Sequence, residues 1–131
     1  MYNNTGLIKS FTPTAAIVPF SAVKFGADDN TITLATAAAD LAIGFTNEIE
    51  VVADDIVKGN LVDVVIDGIA EARAGAAITR GSRLTVDSTG RVITATPAAG
   101  VNVQIIGIAL KSAASADEQI PVLLQRSIMQ G

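Results

Sequence analysis

Short runs of hydrophobic residues alternate with polar turn residues along the whole chain. Val, Ile and Thr recur in these runs, and Gly, Asp, Asn and Ser separate them about every ten residues. β-Branched side chains suit the pleated surface of a sheet, and this spacing is typical of sandwiches and small barrels. The pattern therefore predicts an all-β fold, either a small antiparallel β-barrel or a jelly-roll-like β-sandwich. The predicted strands are 16–18, 22–25, 31–35, 42–46, 61–66, 69–73, 83–86, 91–95, 104–110 and 120–124.

The segment Arg83–Ala95 is the most clearly defined local unit, a β-hairpin. Two alternating runs flank Asp87–Gly90, where an Asp can open a turn and Gly90 can adopt positive φ at its close. Only Ala35–Leu41, which is rich in Ala, is predicted to be helical, and it is too short to be stable in isolation.

The two ends of the chain show no period. We therefore predict an N-terminal arm over Met1–Thr14, a single β domain over residues 15–125, and a C-terminal arm over Arg126–Gly131. Both arms contain apolar side chains, which a tail exposed to water has no reason to keep. These side chains are predicted to contact neighbouring subunits. They are Leu7, Ile8, Phe11, Ile128 and Met129.

The two halves of the chain resemble each other weakly, with a period near sixty residues. Such a repeat is too long for a solenoid but fits two similar β-meanders packed face to face. Chance similarity between Val-rich and Ile-rich strands is the alternative explanation. The matching segments are Lys24–Thr36 with Arg83–Thr96, Ala42–Phe45 with Ile105–Ile108, and Leu61–Ile66 with Ile120–Leu124.

Composition narrows the range of functions. A chain of 131 residues with 50% hydrophobic and 17% charged residues can bury one core, which excludes intrinsic disorder. The absence of His and Cys excludes disulfides, Cys/His zinc sites and His-based nucleophilic catalysis. A net charge of −4 disfavours nucleic acid and anionic membranes, and 4% aromatic residues disfavour small-molecule pockets. We expect no cofactor and no metal.

Two loop motifs only superficially resemble known ligand sites. Gly75–Ser82 lacks the Lys and the glycine spacing of a phosphate-binding loop, and Asp87–Arg91 places an Arg where a calcium loop needs an oxygen ligand. The vicinal acids Asp28–Asp29 and Asp54–Asp55 are interpreted as solvated turn residues, because neighbouring strand residues point to opposite faces. A carboxylate-based hydrolase would require two acids that converge in a pocket.

Four arginines lie within nineteen residues: Arg73, Arg80, Arg83 and Arg91. Alternation along the hairpin would place Arg83 near Arg91, and such a like-charge pair is destabilising unless an acid lies between them. An acidic protein partner could supply that acid, which makes Arg80, Arg83 and Arg91 candidate partner-binding residues. Solvated strand ends are the alternative interpretation.

The ordered motifs of the second half resemble a known family. Val62–Gly81 has the pattern V-x-V-x-x-x-G-I-A-x-A-x-A-G-A-A-I-x-x-G, and Leu84–Arg91 has L-x-x-D-x-x-G-R. Ile106–Leu110 and Ile120–Leu124 follow in the same order and spacing. Together these segments resemble the capsid cement, or decoration, proteins of tailed bacteriophages, and the likeness extends over roughly Val23–Leu124.

This resemblance implies a non-enzymatic virion protein on the outer capsid surface, synthesised in the host bacterial cytoplasm. It implies binding to the major capsid protein and self-association, for which we predict a homotrimer rather than a homodimer. Another phage or secretion-apparatus subunit and a carboxylate-based hydrolase remain the alternatives.

Overall fold

A computed structural model describes residues 6–131, in which ten strands and one short helix form two sheets. The elements are β1 (Ile8–Pro13), β2 (Ala22–Phe25), β3 (Thr31–Leu34), β4 (Ala42–Thr46), α1 (Ala53–Lys58), β5 (Val62–Val65), β6 (Ile69–Arg73), β7 (Arg83–Val86), β8 (Val92–Thr94), β9 (Asn102–Ala109) and β10 (Gln119–Gln130). The first half forms a closed barrel in the order β1-β3-β2-β4-β5, and the second half forms a sheet in the order β6-β10-β9-β7-β8. Within the described residues, no helix is long and apolar enough to cross a membrane.

The all-β prediction is confirmed, but the barrel is not wholly antiparallel as expected. Strands β1 and β3 run parallel, with Thr12 opposite Thr31 and Pro13 opposite Ile32. A closed ring in which all neighbours are antiparallel needs an even number of strands, and this barrel has five. One parallel pair is therefore required for closure.

Both segments predicted as arms contain paired strands where the structure describes them. In β1, Ile8 pairs with Val65 and Phe11 with Val62, so the expected N-terminal arm closes the barrel. At the other end, residues 127–130 extend β10 along β9. Residues 1–5 of the predicted arm lie outside the described residues. Strand β1 was not recognised from the sequence, because its alternation of buried and exposed side chains covers only Phe11 and Pro13.

The predicted helix at Ala35–Leu41 is wrong. The carboxylate of Asp40 accepts hydrogen bonds from the backbone N–H groups of Thr36 and Ala37, which folds this segment into turns. A side chain that captures local N–H groups competes with helix formation. The helix that the structure describes is α1, which ends at Gly59 with φ of 74°.

The topology of the two sheets supports the internal repeat, but neither half is the predicted meander, because β1 does not pair with β2 and β6 does not pair with β7. Because the barrel is closed, it can also be read from β1 toward β5, which gives the order β1-β5-β4-β2-β3. The second sheet has the matching order β6-β10-β9-β7-β8. The parallel contact also recurs, since Ala74 forms a parallel bridge with Val92 just after β6. Each half also has an antiparallel bridge outside its strands, Ile17 with Val51 and Ile78 with Ala113.

The repeat also holds residue by residue. Phe45 pairs with Val65 in the barrel, and Ile108 pairs with Leu123 in the second sheet. The β2–β3 and β7–β8 hairpins match as predicted for 31–36 and 91–96. In the first strands of these hairpins, Ala22 and Val23 occupy the positions of residues 83 and 84. The sequence comparison had matched residues 24 and 25 with them, two positions later. The shared register and strand order favour a repeat over chance similarity between strands.

The two halves share a hydrophobic core. One cluster combines barrel residues such as Ala22 and Phe45 with second-sheet residues such as Leu84, Ile106 and Val122. A second cluster fills the barrel, and it includes Phe11, Val23 and Ile32. Both clusters consist mainly of Ala, Val, Ile and Leu, as expected from the scarcity of aromatic residues.

Candidate functional site

Exposed apolar side chains are distributed unequally between the two halves. Among the described residues thirteen large hydrophobic side chains are exposed, nine in the barrel half and four in the second half. Because both halves have the same topology, the fold itself does not require this difference. Two of the nine, Phe25 and Leu41, line the same cavity. Because an exposed apolar patch is typical of interaction sites, this grouping and the excess favour the barrel half as the partner-binding half. The nine are Leu7, Ile8, Val18, Phe25, Leu41, Ile49, Val52, Val57 and Leu61.

Two cavities share Arg126 of β10, one against the barrel and the other along β7, β9 and β10. The first, of about 480 Å³, is lined by Lys9, Phe11, Phe25, Leu41, Ile43, Ile66 and Arg126. The second, of about 450 Å³, is lined by Arg83, Ile105, Ile108, Gln125, Arg126, Ser127 and Ile128. Arg126 lines both, and we call the combined surface the Arg126 groove.

Arg126 is fixed between the barrel and β10. One guanidinium nitrogen, Nη1, donates to the backbone carbonyls of Ile43 and Ile66, each at 3.1 Å. The β9–β10 register shifts between Leu124 and Ser127, at the position of Arg126. A β-bulge redirects a side chain, so this irregularity explains why Arg126 can reach the barrel.

Lys9 also lines the first cavity. Its Nζ donates to Oδ1 of Asn30 at 3.0 Å and lies 4.8 Å from the ring centroid of Phe11. The ring therefore contributes a cation–π contact as well as the apolar floor of the cavity. Within residues 6–131, no carboxylate lines either part of the Arg126 groove.

The distribution of ion pairs sets the groove apart from the rest of the surface. Four cations contact carboxylates: Lys24, Lys58, Arg73 and Arg91. Five basic side chains in the described chain have no carboxylate within 4.0 Å, and three of these five line the groove. The five are Lys9, Arg80, Arg83, Lys111 and Arg126.

The predicted contact between Arg83 and Arg91 is wrong. In the hairpin Leu84 pairs with Thr94, and the backbone of Arg91 instead accepts a hydrogen bond from Asp87. Arg91 forms ion pairs with Asp87 at 3.0 Å and with Asp117 at 3.2 Å. The acid that a partner was expected to supply is therefore present within the chain.

Asp87 organises this hairpin turn. Burial raises the pKa of Asp87. Hydrogen bonds from the backbone N–H groups of Thr89 and Arg91 and from the Thr89 hydroxyl, together with the positive charge of Arg91, outweigh this effect and hold the pKa below 3.8. A depressed pKa in the folded state stabilises the fold above the unfolded value of 3.8, and this stabilisation is lost as the pH falls through the folded pKa.

We expect Asp87→Asn to lower the stability at pH 7 by roughly 1 kcal/mol, because it weakens the charge-assisted hydrogen bonds. The difference from the wild type should shrink as the pH falls below 3.8 and through the lowered pKa of folded Asp87, where this carboxylate becomes protonated. Urea unfolding at several pH values measures this, with the exposed turn variant Asp29→Asn as the control. A difference between Asp87→Asn and wild type that does not change with pH would contradict the assignment.

The other predicted partner-binding residues have different environments. Leu7 and Ile8 are more than half exposed, whereas Phe11 is only 5% exposed and forms the groove floor. Arg80 is exposed outside the groove, and Arg83 and Ile128 line it. Met129 packs against the small cluster of Ala95, Val103 and Ile105.

Ten of the thirteen groove residues were not predicted from the sequence, among them Lys9, Phe25, Leu41 and Arg126. Phe25 gave the clearest signal, because it is an aromatic residue that ends a strand in a chain with only four Phe. Lys9 and Arg126 gave no signal in the sequence, since their spacing does not show that they share a cavity.

Comparison with known proteins agrees with the predicted resemblance. Residues 3–124 match the phage cement protein family. The fold is similar to one described as "The crystal structure of head fiber gp8.5 N base in bacteriophage phi29", with a TM-score of 0.63 and 16% identity over 95% of this chain and 98% of that chain. No curated protein matches the sequence. The chain belongs to the phage cement protein family and is a structural, capsid-associated protein of the virion.

Proposed function

We propose that this protein binds the major capsid protein on the outer surface of the phage head and stabilises the shell, without catalysing a reaction. The observation that carries the proposal is the excess of exposed apolar side chains on the barrel half, nine against four. Burial of apolar surface contributes about 25 cal/mol per Å², so several such side chains together supply useful binding energy.

Many copies on one shell would multiply this effect. Each contact is modest by itself, but a subunit that touches several capsid subunits must lose all of these contacts before it dissociates. Contacts that bridge neighbouring capsid subunits also oppose their separation. This is the physical basis on which a small β protein can reinforce a shell.

We also propose that the protein acts as a homotrimer rather than a homodimer. Residues Ser127–Gln130 of β10 pair with β9 on one side, whereas β6 pairs with β10 only up to Leu123. Among the described residues the other edge of this segment has no strand partner, so it can accept a strand or loop, and Ile128 beside it is 62% exposed. A contact between this edge and a different surface of the next copy can close into a ring.

The test uses expanded capsids that lack this protein. Purified protein is expected to co-sediment with these capsids and to raise the temperature at which they rupture. Light scattering on the free protein should give the mass of three chains. Unexpanded capsids serve as the comparison. Folded protein, verified by circular dichroism, that neither binds expanded capsids nor changes their rupture temperature would refute the proposal.

A further inference from the structure

The Arg126 groove is a positively charged apolar surface on an acidic protein. The chain carries 13 acidic and 9 basic residues, yet the groove contains Lys9, Arg83 and Arg126 and no carboxylate. Two acids are adjacent in sequence to lining residues of the first cavity, Asp40 before Leu41 and Asp67 after Ile66, but neither lines the groove. Asp40 already pairs with Lys24 at 3.1 Å. The groove therefore concentrates positive charge beside exposed apolar side chains.

We propose that the Arg126 groove docks an acidic segment of the major capsid protein that also carries a large apolar side chain. The apolar side chain would pack in the first cavity against Phe25 and Leu41, which are 60% and 52% exposed. A carboxylate of the same segment would contact Lys9 or Arg126, or Arg83 further along the groove. This inference rests on the proposed function, because it names the surface through which the capsid protein is bound.

The hydrogen bonding of Arg126 supports an acidic partner. Its Nη1 donates to two carbonyls, whereas Nε and Nη2 make no hydrogen bond within the described chain. A guanidinium has five N–H donors and suits bidentate contact with a carboxylate. Arg126 therefore retains donors for a second, charged acceptor while its position is already fixed.

The charge on the rest of the barrel half makes this contact selective. Residues 1–66 contain eight acidic and three basic residues, so an acidic segment is repelled by most of this half. Complementary charge orients an encounter and disfavours other registers, even where it adds little to affinity. The capsid segment would thus be guided to the groove.

The experiment measures binding to expanded capsids by co-sedimentation at 50 and 500 mM NaCl. Lys9→Glu and Leu41→Asp are expected to weaken binding at the lower salt concentration by about tenfold or more. Wild-type binding should weaken as salt rises, whereas Lys9→Glu should show little salt dependence, because salt screens the attraction that it has lost. Lys111→Glu and Val101→Asp are matched controls outside the groove, and both should bind like the wild type.

The outcomes separate this inference from the proposed function. If the wild type does not bind capsids, the proposed function fails. If the wild type binds and the groove variants bind equally well, or if the controls lose as much affinity, only the groove assignment fails. Light scattering on each variant checks for a second copy as the occupant. Groove variants that dissociate the oligomer but bind capsids with unchanged affinity would overturn the proposal.

Discussion

Replacing Gly44 or Gly107 with alanine is expected to destabilise the fold by about 3 kcal/mol, which corresponds to a fall in melting temperature of roughly 10 °C. A Cβ at Gly44 would collide with the backbone carbonyl oxygen of Val65 on the neighbouring strand. A Cβ at Gly107 would collide with that of Leu123. A backbone carbonyl within a ladder cannot rotate away as a side chain can, so a strand would have to move.

The two glycines occupy the same position in the repeat. Gly44 lies one residue before Phe45, which pairs with Val65, and Gly107 precedes Ile108, which pairs with Leu123. The same close approach of β4 to β5 and of β9 to β10 therefore requires glycine in both halves. Similar losses from the two substitutions would show that the halves share this packing.

Gly59→Ala is the matched control. Gly59 has φ of 74°, but no atom lies within 4 Å of the site where its Cβ would be. Only backbone strain is expected there, on the order of 1 kcal/mol. Thermal melts of the three variants measure whether the losses at Gly44 and Gly107 exceed the loss at Gly59. Losses at Gly44 and Gly107 no larger than the loss at Gly59 would mean that the strands separate easily at these positions.

Local patterns predicted nine of the ten strands, because alternation acts over a few residues. They missed β1, and the predicted strand 16–18 forms only an isolated bridge at Ile17. The predicted bounds of 42–46, 69–73 and 83–86 agree with β4, β6 and β7. The hairpin turn was also predicted, and Gly90 has the expected positive φ, 78°. Each of these features depends on neighbouring residues and on the conformations that they can adopt.

Features set by distant contacts were not predicted. The barrel closes because β1 lies between β5 and β3, and no local signal in Ile8–Pro13 indicates those partners. Helix α1 was missed because Ile56 and Val57 resemble strand residues, although Asp54 and Asp55 at its start and Gly59 after its end are helix-terminus signals. The carboxylate of Asp55 accepts from the backbone N–H of Val52, as a residue in the first turn of a helix can.

In the candidate site, too, residues recognisable from local chemistry were predicted, and those placed by distant contacts were not. Arg83 and Ile128 were predicted as partner-binding residues from their chemistry, and both line the groove. Lys9 and Arg126 are 117 residues apart, and they share a cavity only because the β9–β10 bulge directs Arg126 toward the barrel. A bulge changes the direction of a side chain without leaving a clear pattern in the sequence.

Deletion of Met1–Ser10 is expected to abolish the folded barrel. Ile8, Lys9 and Ser10 supply three of the four residue pairs between β1 and β5. Their loss opens the barrel and leaves one edge of β5 without a partner. It also exposes the core that surrounds Phe11, because the remaining residues of β1 cannot close the ring by themselves. An opened sheet of this kind is prone to aggregate through its free edge.

Deletion of Arg126–Gly131, the other predicted arm, is the matched comparison. It removes four pairs between β10 and β9, but Gln119–Leu124 still lies between β6 and β9, so the second sheet should survive with a lower melting temperature. Circular dichroism and binding of a hydrophobic dye distinguish the two variants. The first should lose its cooperative melt and bind the dye, whereas the second should retain a cooperative melt. An N-terminally truncated protein that melts like the full chain would show that β1 is a removable arm and not a wall of the barrel.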